Sequence, residues 1–126
     1  MTQEDKELLL KDLSGRLPYG VKVTTTNPAA EFGVMSGISI KGKISVNTKD
    51  ADIVFECTEI KPYLRPMSSM TEEEENKYRA INCYEGLFPC NEEALDYALS
   101  HHFDYRGLIE KGIALEAPEG MYNLNK

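Results

Sequence analysis

The stretch Gly33-Val-Met-Ser-Gly-Ile-Ser-Ile-Lys-Gly-Lys-Ile-Ser-Val-Asn47 decides the fold class of this chain, because most of it alternates between apolar and polar residues. Such alternation predicts β-structure with one buried face. The predicted buried face carries Ile38, Ile40, Ile44 and Val46. Gly42 falls in the apolar register, so the stretch is either one long strand with a bulge or a hairpin with a three-residue turn at residues 41–43.

Further strands are predicted on both sides of this stretch. Residues 21–26 are rich in β-branched side chains, which favour strands. Residues 52–60 form another predicted strand, whose inner face carries Ile53, Phe55 and Cys57. Residues 61–66 are expected to be extended, because prolines restrict the backbone of the residues before them. Residues 113–117 give a short final strand or extended piece.

A helix is predicted before the strands, over residues 2–13. Thr2 is placed to cap it, with Asp5 three residues further on. Ser14-Gly15 is a stop signal, since glycine suits the left-handed conformation that often follows a helix.

Helices are also predicted after the strands. Thr71 and Glu74 form a capping box, which opens a helix that runs to about residue 84. Asn91 caps the next helix, and its buried stripe carries Leu95, Ala98, Leu99 and His102. Asp104 is expected to cap a short turn that Gly112 closes.

Strands and helices are thus segregated along the chain rather than alternating. Segregation favours an α+β fold over the parallel sheets typical of nucleotide-binding proteins. The sequence therefore predicts a single α+β domain of 126 residues with an N-terminal helix, an antiparallel sheet of three to five strands and two to three C-terminal helices.

Composition narrows the class of protein and partner. The net charge of −7 disfavours binding to nucleic acid and to anionic membranes. Residues 16–49 carry five basic residues against one acid, a net +4, which leaves −11 for the remainder. No apolar run approaches a membrane span and the start shows no export signal, so we expect a cytoplasmic protein. Its three cysteines lack paired spacing and are expected to be reduced: Cys57, Cys83 and Cys90.

Two motifs resemble ligand sites, one for phosphate and one for a metal, and neither has all the residues that such a site needs. Residues 37–44 have the spacing of a phosphate-binding loop, but Ile44 stands where that loop needs serine or threonine. His101 and His102 diverge by about 100° on a helix and cannot easily share a metal, which normally needs three or four ligands. We therefore predict no metal and no cofactor.

The residues expected to contact a partner lie in two segments outside the regular helices. Arg65 and Arg106 are each flanked by aromatic or proline residues, and Arg65 suits an anionic group. For both arginines the sequence favours an internal pair with a carboxylate over such binding. The predicted binding residues are Lys61, Tyr63, Arg65, His101, Tyr105 and Arg106.

Two segments carry a resemblance to known proteins. They are Lys61-Pro-Tyr-Leu-Arg-Pro-Met-Ser-Ser-Met-Thr-Glu-Glu-Glu74 and His102-Phe-Asp-Tyr-Arg-Gly-Leu-Ile-Glu-Lys-Gly-Ile-Ala-Leu-Glu-Ala117. Both resemble small uncharacterised proteins of gut anaerobic bacteria and their phages. The resemblance covers the C-terminal half and implies a phage or mobile-element origin. It brings no activity, cofactor or catalytic residue with it.

These observations favour a non-enzymatic accessory or interaction domain that binds a protein through residues 61–65 and the turn at Tyr105-Arg106. One alternative is a small enzyme or ligand-binding domain that uses His101, His102 or Asp104 in a cleft. Convergence of those side chains in a pocket would distinguish it. Another alternative is an acidic mimic of nucleic acid, which requires a linear array of surface carboxylates. The sequence leaves the oligomeric state open.

Overall fold

The first helix covers one face of the sheet. In the computed structural model, helix α1 spans Gln3–Arg16, and the structure describes residues 2–26, 32–39, 41–48, 52–82, 89–118 and 121–122. The predicted cap is confirmed, because the Asp5 amide donates to the Thr2 hydroxyl at 3.1 Å and the Thr2 amide donates to the Asp5 carboxylate. Both bonds satisfy amides that lack a partner within or next to the helix.

The predicted stop at Ser14-Gly15 is wrong. The helix continues to Arg16, and a Cβ atom added to Gly15 would lie 3.2 Å from Cδ1 of Leu99 in a later helix. This glycine therefore permits close packing of two helices rather than ending one. The chain reverses one turn later, where Gly20 has a left-handed φ of 68°.

The sheet contains seven strands among the described residues. In chain order they are β1 Lys22–Thr25, β2 Phe32–Ile38, β3 Lys43–Asn47, β4 Asp52–Glu56, β5 Ile60–Pro66, β6 Phe103–Asp104 and β7 Leu115–Glu116. Their order across the sheet is β4-β3-β2-β1-β5, and β6 and β7 share the far edge of β5. The α+β class is confirmed.

The prediction of an antiparallel sheet with three to five strands is wrong in two respects. The pairs from β4 to β5 are antiparallel, but β6 and β7 run parallel to β5, so the sheet is mixed and has seven strands. The two additional strands are only two residues long, which is too short to show alternation in the sequence. Residues 61–66, expected only to be extended, form most of β5.

Strands β2 and β3 form a hairpin, the second of the two predicted alternatives. The Ser39 amide donates to the Lys43 carbonyl at 2.8 Å, and Ile38 lies opposite Ile44. The turn therefore lies between Ser39 and Lys43, one residue earlier than predicted, and Ile40 of the predicted buried face lies outside the described residues. Gly42 takes the last position of the turn with a left-handed φ of 80°, which is the conformation that three-residue hairpin turns favour there.

Among the described residues, two helices lie between β5 and β6, in agreement with the prediction of two to three after the main strands. Helix α2 spans Glu72–Ile81, and helix α3 spans Glu92–Ser100. The capping box at Thr71 is confirmed, with its hydroxyl accepting from the Glu74 amide at 3.1 Å. Asn91 caps α3 by accepting from the Ala94 amide at 2.8 Å.

Both helix ends differ from prediction. Helix α2 ends three residues before residue 84, and Cys83 and Tyr84 lie outside the described residues. Helix α3 ends at Ser100, so His102 does not continue its buried stripe. His102 is buried, but it has a left-handed φ of 63°, a conformation that costs a non-glycine residue about 1 kcal/mol.

The core divides into two clusters. The sheet cluster packs the inner face of the sheet against α1, with Leu9, Leu13, Val23, Met35, Ile44, Val46, Phe55, Ile60, Leu64 and Leu108 among its members. The helix cluster packs α2 against α3 and contains Tyr78, Ala94, Ala98, Leu99, Phe103 and Tyr105. The opposite face of β3 and β4, here called the outer face, carries Lys43, Ser45, Asp52, Val54 and Glu56.

Candidate functional site

Three of the predicted binding residues lie on β5, which is an interior strand. Its backbone pairs with β1 on one side and with β6 and β7 on the other. Lys61 is exposed and Tyr63 is half-buried. The Tyr63 carbonyl accepts a hydrogen bond of 2.7 Å from the Tyr122 hydroxyl. The backbone of this segment is therefore already paired, and only the exposed side chains are open to a partner.

Arg65 forms an internal ion pair, which is the role that the sequence favoured. Its guanidinium donates two hydrogen bonds to Glu74, at 2.7 and 2.8 Å, and its Cζ lies 4.3 Å from the centre of the Phe103 ring. Burial raises the pKa of Glu74, but the hydrogen bonds from Arg65 and Thr71 outweigh it, so its pKa lies below the ordinary value. Arg65 therefore joins β5 to the start of α2.

His101 stacks on its own helix. Its ring lies 4.1 Å from the ring of Tyr97, and its Nδ1 lies 2.9 Å from the Tyr97 carbonyl oxygen and 3.1 Å from the Ser100 hydroxyl. These contacts fix the ring at the C-terminal end of α3.

His102 and Asp104 lie in different surroundings from His101. His102 stacks on Tyr122 with ring centres 3.8 Å apart, and burial lowers its pKa to about 4, with Arg16 adding to the shift. Asp104 caps the following turn as predicted, accepting from the amides of Leu108 and Ile109. The three side chains have separate partners, and they do not converge in a pocket among the described residues.

A buried charge cluster that the sequence did not reveal lies beside β6. Arg16 is fully buried and donates to Asp12 at 2.6 Å and to the Phe103 carbonyl at 2.7 Å. Arg106 places its Nε 3.2 Å from the same Asp12 carboxylate and lies over the ring of Tyr105. An Asp–Arg pair four residues apart on a leucine-rich helix face was the available signal. This cluster ties α1 to β6, and Tyr105 and Arg106 pack against it.

The opposite end of the sheet is formed by β4. Among the described residues, no strand pairs with the side of β4 that faces away from β3, here called the β4 edge. Val54, at the centre of β4, is 58% exposed and is the most exposed large apolar side chain in the described part of the chain. Natural proteins usually protect such edges, because unpaired strand groups bind other strands.

Hydrogen bonds in the neighbouring hairpin show which residues of β4 face this edge. The Lys43 carbonyl accepts from the Ser39 amide, so the backbone groups of Lys43 point toward β2. Those of the next residue, Ile44, therefore point toward β4. Ile44 lies opposite Phe55, so Phe55 directs its N–H and C=O at β3. Because the direction alternates along a strand, the residues next to Phe55 direct theirs at the open edge.

The backbone groups of Asp52, Val54 and Glu56 therefore face away from β3, and their side chains share the outer face. The Glu56 amide agrees with this direction, since it donates to Glu59 Oε1 at 2.9 Å. That bond closes one end of the edge. Val54 offers both its N–H and its C=O.

A cleft of about 360 Å³ lies beyond the end of β4. It separates the start of α1 from the hairpin turn, and it is lined by Gln3, Lys6, Leu10, Lys41, Gly42, Glu56, Cys57 and Thr58. Its two lysines are partly offset by Glu56, which forms a 2.8 Å ion pair with Lys43.

Other site classes receive no support from the described residues. No group of three or more His, Cys, Asp and Glu side chains in that part of the chain is placed to hold a metal ion. Cys57 is a buried thiol and Cys90 an exposed one, and Cys83 lies outside the described residues. None of the described helices combines the length and apolarity needed to cross a bilayer.

Comparison with known proteins adds no relative to this picture. No family model, curated protein or solved structure matches the chain.

Proposed function

We propose that this protein is an interaction domain that binds an extended segment of a protein partner by strand addition at the β4 edge. The observation that carries the proposal is Val54. Its side chain is 58% exposed at the centre of an edge strand, and its N–H and C=O both face away from β3. Strand addition uses such groups for affinity and uses side-chain contacts on alternate positions for specificity.

The expected affinity for a short segment is weak. Each backbone hydrogen bond contributes about 0.5–1.5 kcal/mol net, and an apolar cross-strand pair at Val54 adds about 0.2–1 kcal/mol. The edge offers few donors, because Glu59 occupies the Glu56 amide. A free peptide should therefore bind with a Kd of about 1 mM or somewhat below. Tighter binding in a natural complex requires contacts outside the edge.

The two alternative functions are less well supported by the geometry. An enzyme that uses His101, His102 or Asp104 requires them to meet, and each has its own partners. An acidic mimic of nucleic acid requires free carboxylates in line along α2. Glu74 is bound to Arg65, and Glu75 forms a 2.8 Å ion pair with Arg79.

The proposal is tested with a neutral seven-residue peptide that has valine at its centre and threonine elsewhere. Binding is followed by amide chemical shifts of the isotopically labelled protein. We expect saturable shifts centred on Val54 and the neighbouring residues of β3. Val54→Pro removes the outward N–H and should weaken binding at least about tenfold, because the central hydrogen-bonded pair is lost.

Val54→Thr is the matched control, since it keeps both the β-branch and the N–H, and its affinity should stay within about threefold of the original. Equal binding by the proline variant would contradict strand addition. Shifts centred on residues 61–65 instead of β4 would restore the surface that the sequence suggested.

A further inference from the structure

The charges around the β4 edge specify the kind of segment that it accepts. We propose that the added segment carries a central apolar residue with a basic residue two positions to either side of it, an inference that rests on the proposed strand addition. The outer face of β4 reads acid, apolar, acid at Asp52, Val54 and Glu56. Residues opposite one another on paired strands lie on the same face with Cβ atoms about 4.5–5.5 Å apart.

The existing neighbour of β4 shows this pairing at one position. On β3, Lys43 lies opposite Glu56, and Nζ of the lysine is 2.8 Å from Oε1 of the glutamate. The hydrogen bond between the two side chains raises the pKa of Lys43 and lowers that of Glu56, and their charge attraction adds a smaller shift in the same directions. A lysine or arginine on the other side of β4 would meet the same carboxylate from the open edge.

Glu59 limits the hydrogen bonds at one end of the edge. Its carboxylate accepts from the Glu56 amide, so that amide is closed to a partner, and the outward amides left for one are those of Asp52 and Val54. Glu59 also adds a second carboxylate at the Glu56 end of the edge, where Lys43 and Lys6 offset part of the negative charge.

The same charges exclude a second copy of this chain as the partner. If two β4 edges paired antiparallel about Val54, Asp52 of each copy would lie opposite Glu56 of the other. Like charges directly opposite destabilise a strand pair. The net charge of −7 on each chain adds a longer-range repulsion.

The cleft limits how far the basic pattern extends. A segment that continues past Glu56 reaches the rim formed by Lys6 and Lys41. A third basic residue there would face two ammonium groups. The structure thus favours two basic residues flanking one apolar residue over a long basic run.

Three peptides that share the threonine background and the central valine test the charge preference. The first peptide carries lysine, the second glutamine and the third glutamate, in each case two residues before and two residues after the valine. At low salt the lysine peptide should bind roughly threefold to tenfold more tightly than the glutamine peptide, and the glutamate peptide more weakly than both, since two exposed ion pairs contribute at this level. The differences should shrink at 0.5 M salt.

Matched protein variants separate this inference from the proposed function. Asp52→Asn with Glu56→Gln should abolish the preference for lysine while the glutamine peptide still binds. Glu93→Gln with Asp96→Asn removes the same charge from exposed positions on α3 and should leave the preference intact. Equal affinity of the three peptides for the original protein would overturn the charge inference and leave strand addition standing.

Two further outcomes bear on both proposals. Lysine-dependent binding that survives in the Val54→Pro variant would show diffuse charge attraction and would overturn both. A concentration-dependent dimer in sedimentation that Val54→Pro abolishes would overturn the choice of a basic partner over a second copy.

Discussion

The two edges of the sheet differ in whether other strands cover them and in whether their charged side chains are buried. At β5 the edge is covered by β6 and β7, and the ion pair of Arg65 with Glu74 and that of Arg16 with Asp12 lie beside them. At β4 nothing among the described residues covers the edge, and its charged residues are exposed. Charged side chains that look like a binding site in the sequence can therefore be the parts that seal a fold, while an edge strand can be marked by one exposed valine.

The two edges should also differ in how much a substitution there changes the free energy of unfolding. Burying a charge is tolerated only when it is paired and hydrogen-bonded, so removing one partner at the covered edge leaves an uncompensated charge. The exposed charges at the β4 edge remain in water, where each ion pair contributes little. Substitutions should therefore have large effects on stability at the first edge and small effects at the second.

The largest effect is expected for Arg16→Met. This change leaves Asp12 fully buried with only the partly exposed Arg106 beside it, and it should lower the free energy of unfolding by about 4 kcal/mol. Urea titration measures the loss. The double variant Asp12→Leu/Arg16→Met removes both charges and should recover a large part of it. A loss below about 1 kcal/mol for the single variant would contradict the expected difference in stability effects between the two edges.

Acid should destabilise the covered edge through His102. Its pKa in the folded protein is about 4, below the ordinary 6.5, so the unfolded chain binds the proton more readily. The stabilisation is complete above pH 6.5 and is lost as pH falls toward 4, by about 3 kcal/mol in all.

Unfolding measured from pH 7.5 to pH 4 checks this dependence. His102→Asn tolerates the left-handed backbone and does not titrate, so its stability should fall less steeply with pH. Identical slopes for the original protein and the His102→Asn variant would remove His102 from the explanation.

A smaller effect is expected for Thr71→Ala, which removes the cap of α2. The loss should be about 1 kcal/mol, because the Glu74 amide loses its acceptor. Thr71→Ser keeps the hydroxyl and should stay close to the original stability. An unchanged denaturation midpoint for the alanine variant would show that Arg65 and Glu74 hold this helix end without the cap.

The smallest effect is expected for Val54→Pro at the open edge. Proline is tolerated where the missing N–H faces away from the neighbouring strand, so the loss should be less than about 1 kcal/mol. Phe55→Pro, one residue on, removes a hydrogen bond to β3 and a buried ring, and should cost several-fold more. Thermal unfolding of both variants compares the two losses of stability. Equal losses would show that Val54 does not direct its N–H at the open edge.

The local features of the fold were predictable because their causes are local. The caps at Thr2, Thr71 and Asn91 depend on residues three positions apart, and the hairpin depends on a run of alternating residues. The extra length of α1 was not predictable, because Gly15 is a stop signal by itself and a packing residue only beside Leu99. The parallel pairs with β6 and β7 likewise depend on contacts between distant parts of the chain.

The candidate site was harder to predict for the same reason. Alternation in residues 52–56 shows that Val54 faces away from Phe55, but it does not show that this strand lies at the end of the sheet. Conversely, Arg65 looked available for an anionic ligand until the fold placed it beside Glu74. Strand order and long-range ion pairs decide which residues remain open to a partner.

The hydroxyl of Tyr122 has a consequence for the order in which this sheet is completed. It accepts from the Lys22 amide at 2.9 Å and donates to the Tyr63 carbonyl at 2.7 Å, and so joins β1 to β5 at this position. The contact spans 100 residues of chain. At a synthesis rate of about 5–20 residues per second, β1 waits at least several seconds on the ribosome before this bridge can form. This bridge between the first and fifth strands can thus form only after their direct ladder, at residues 23–25 and 60–62, has become available.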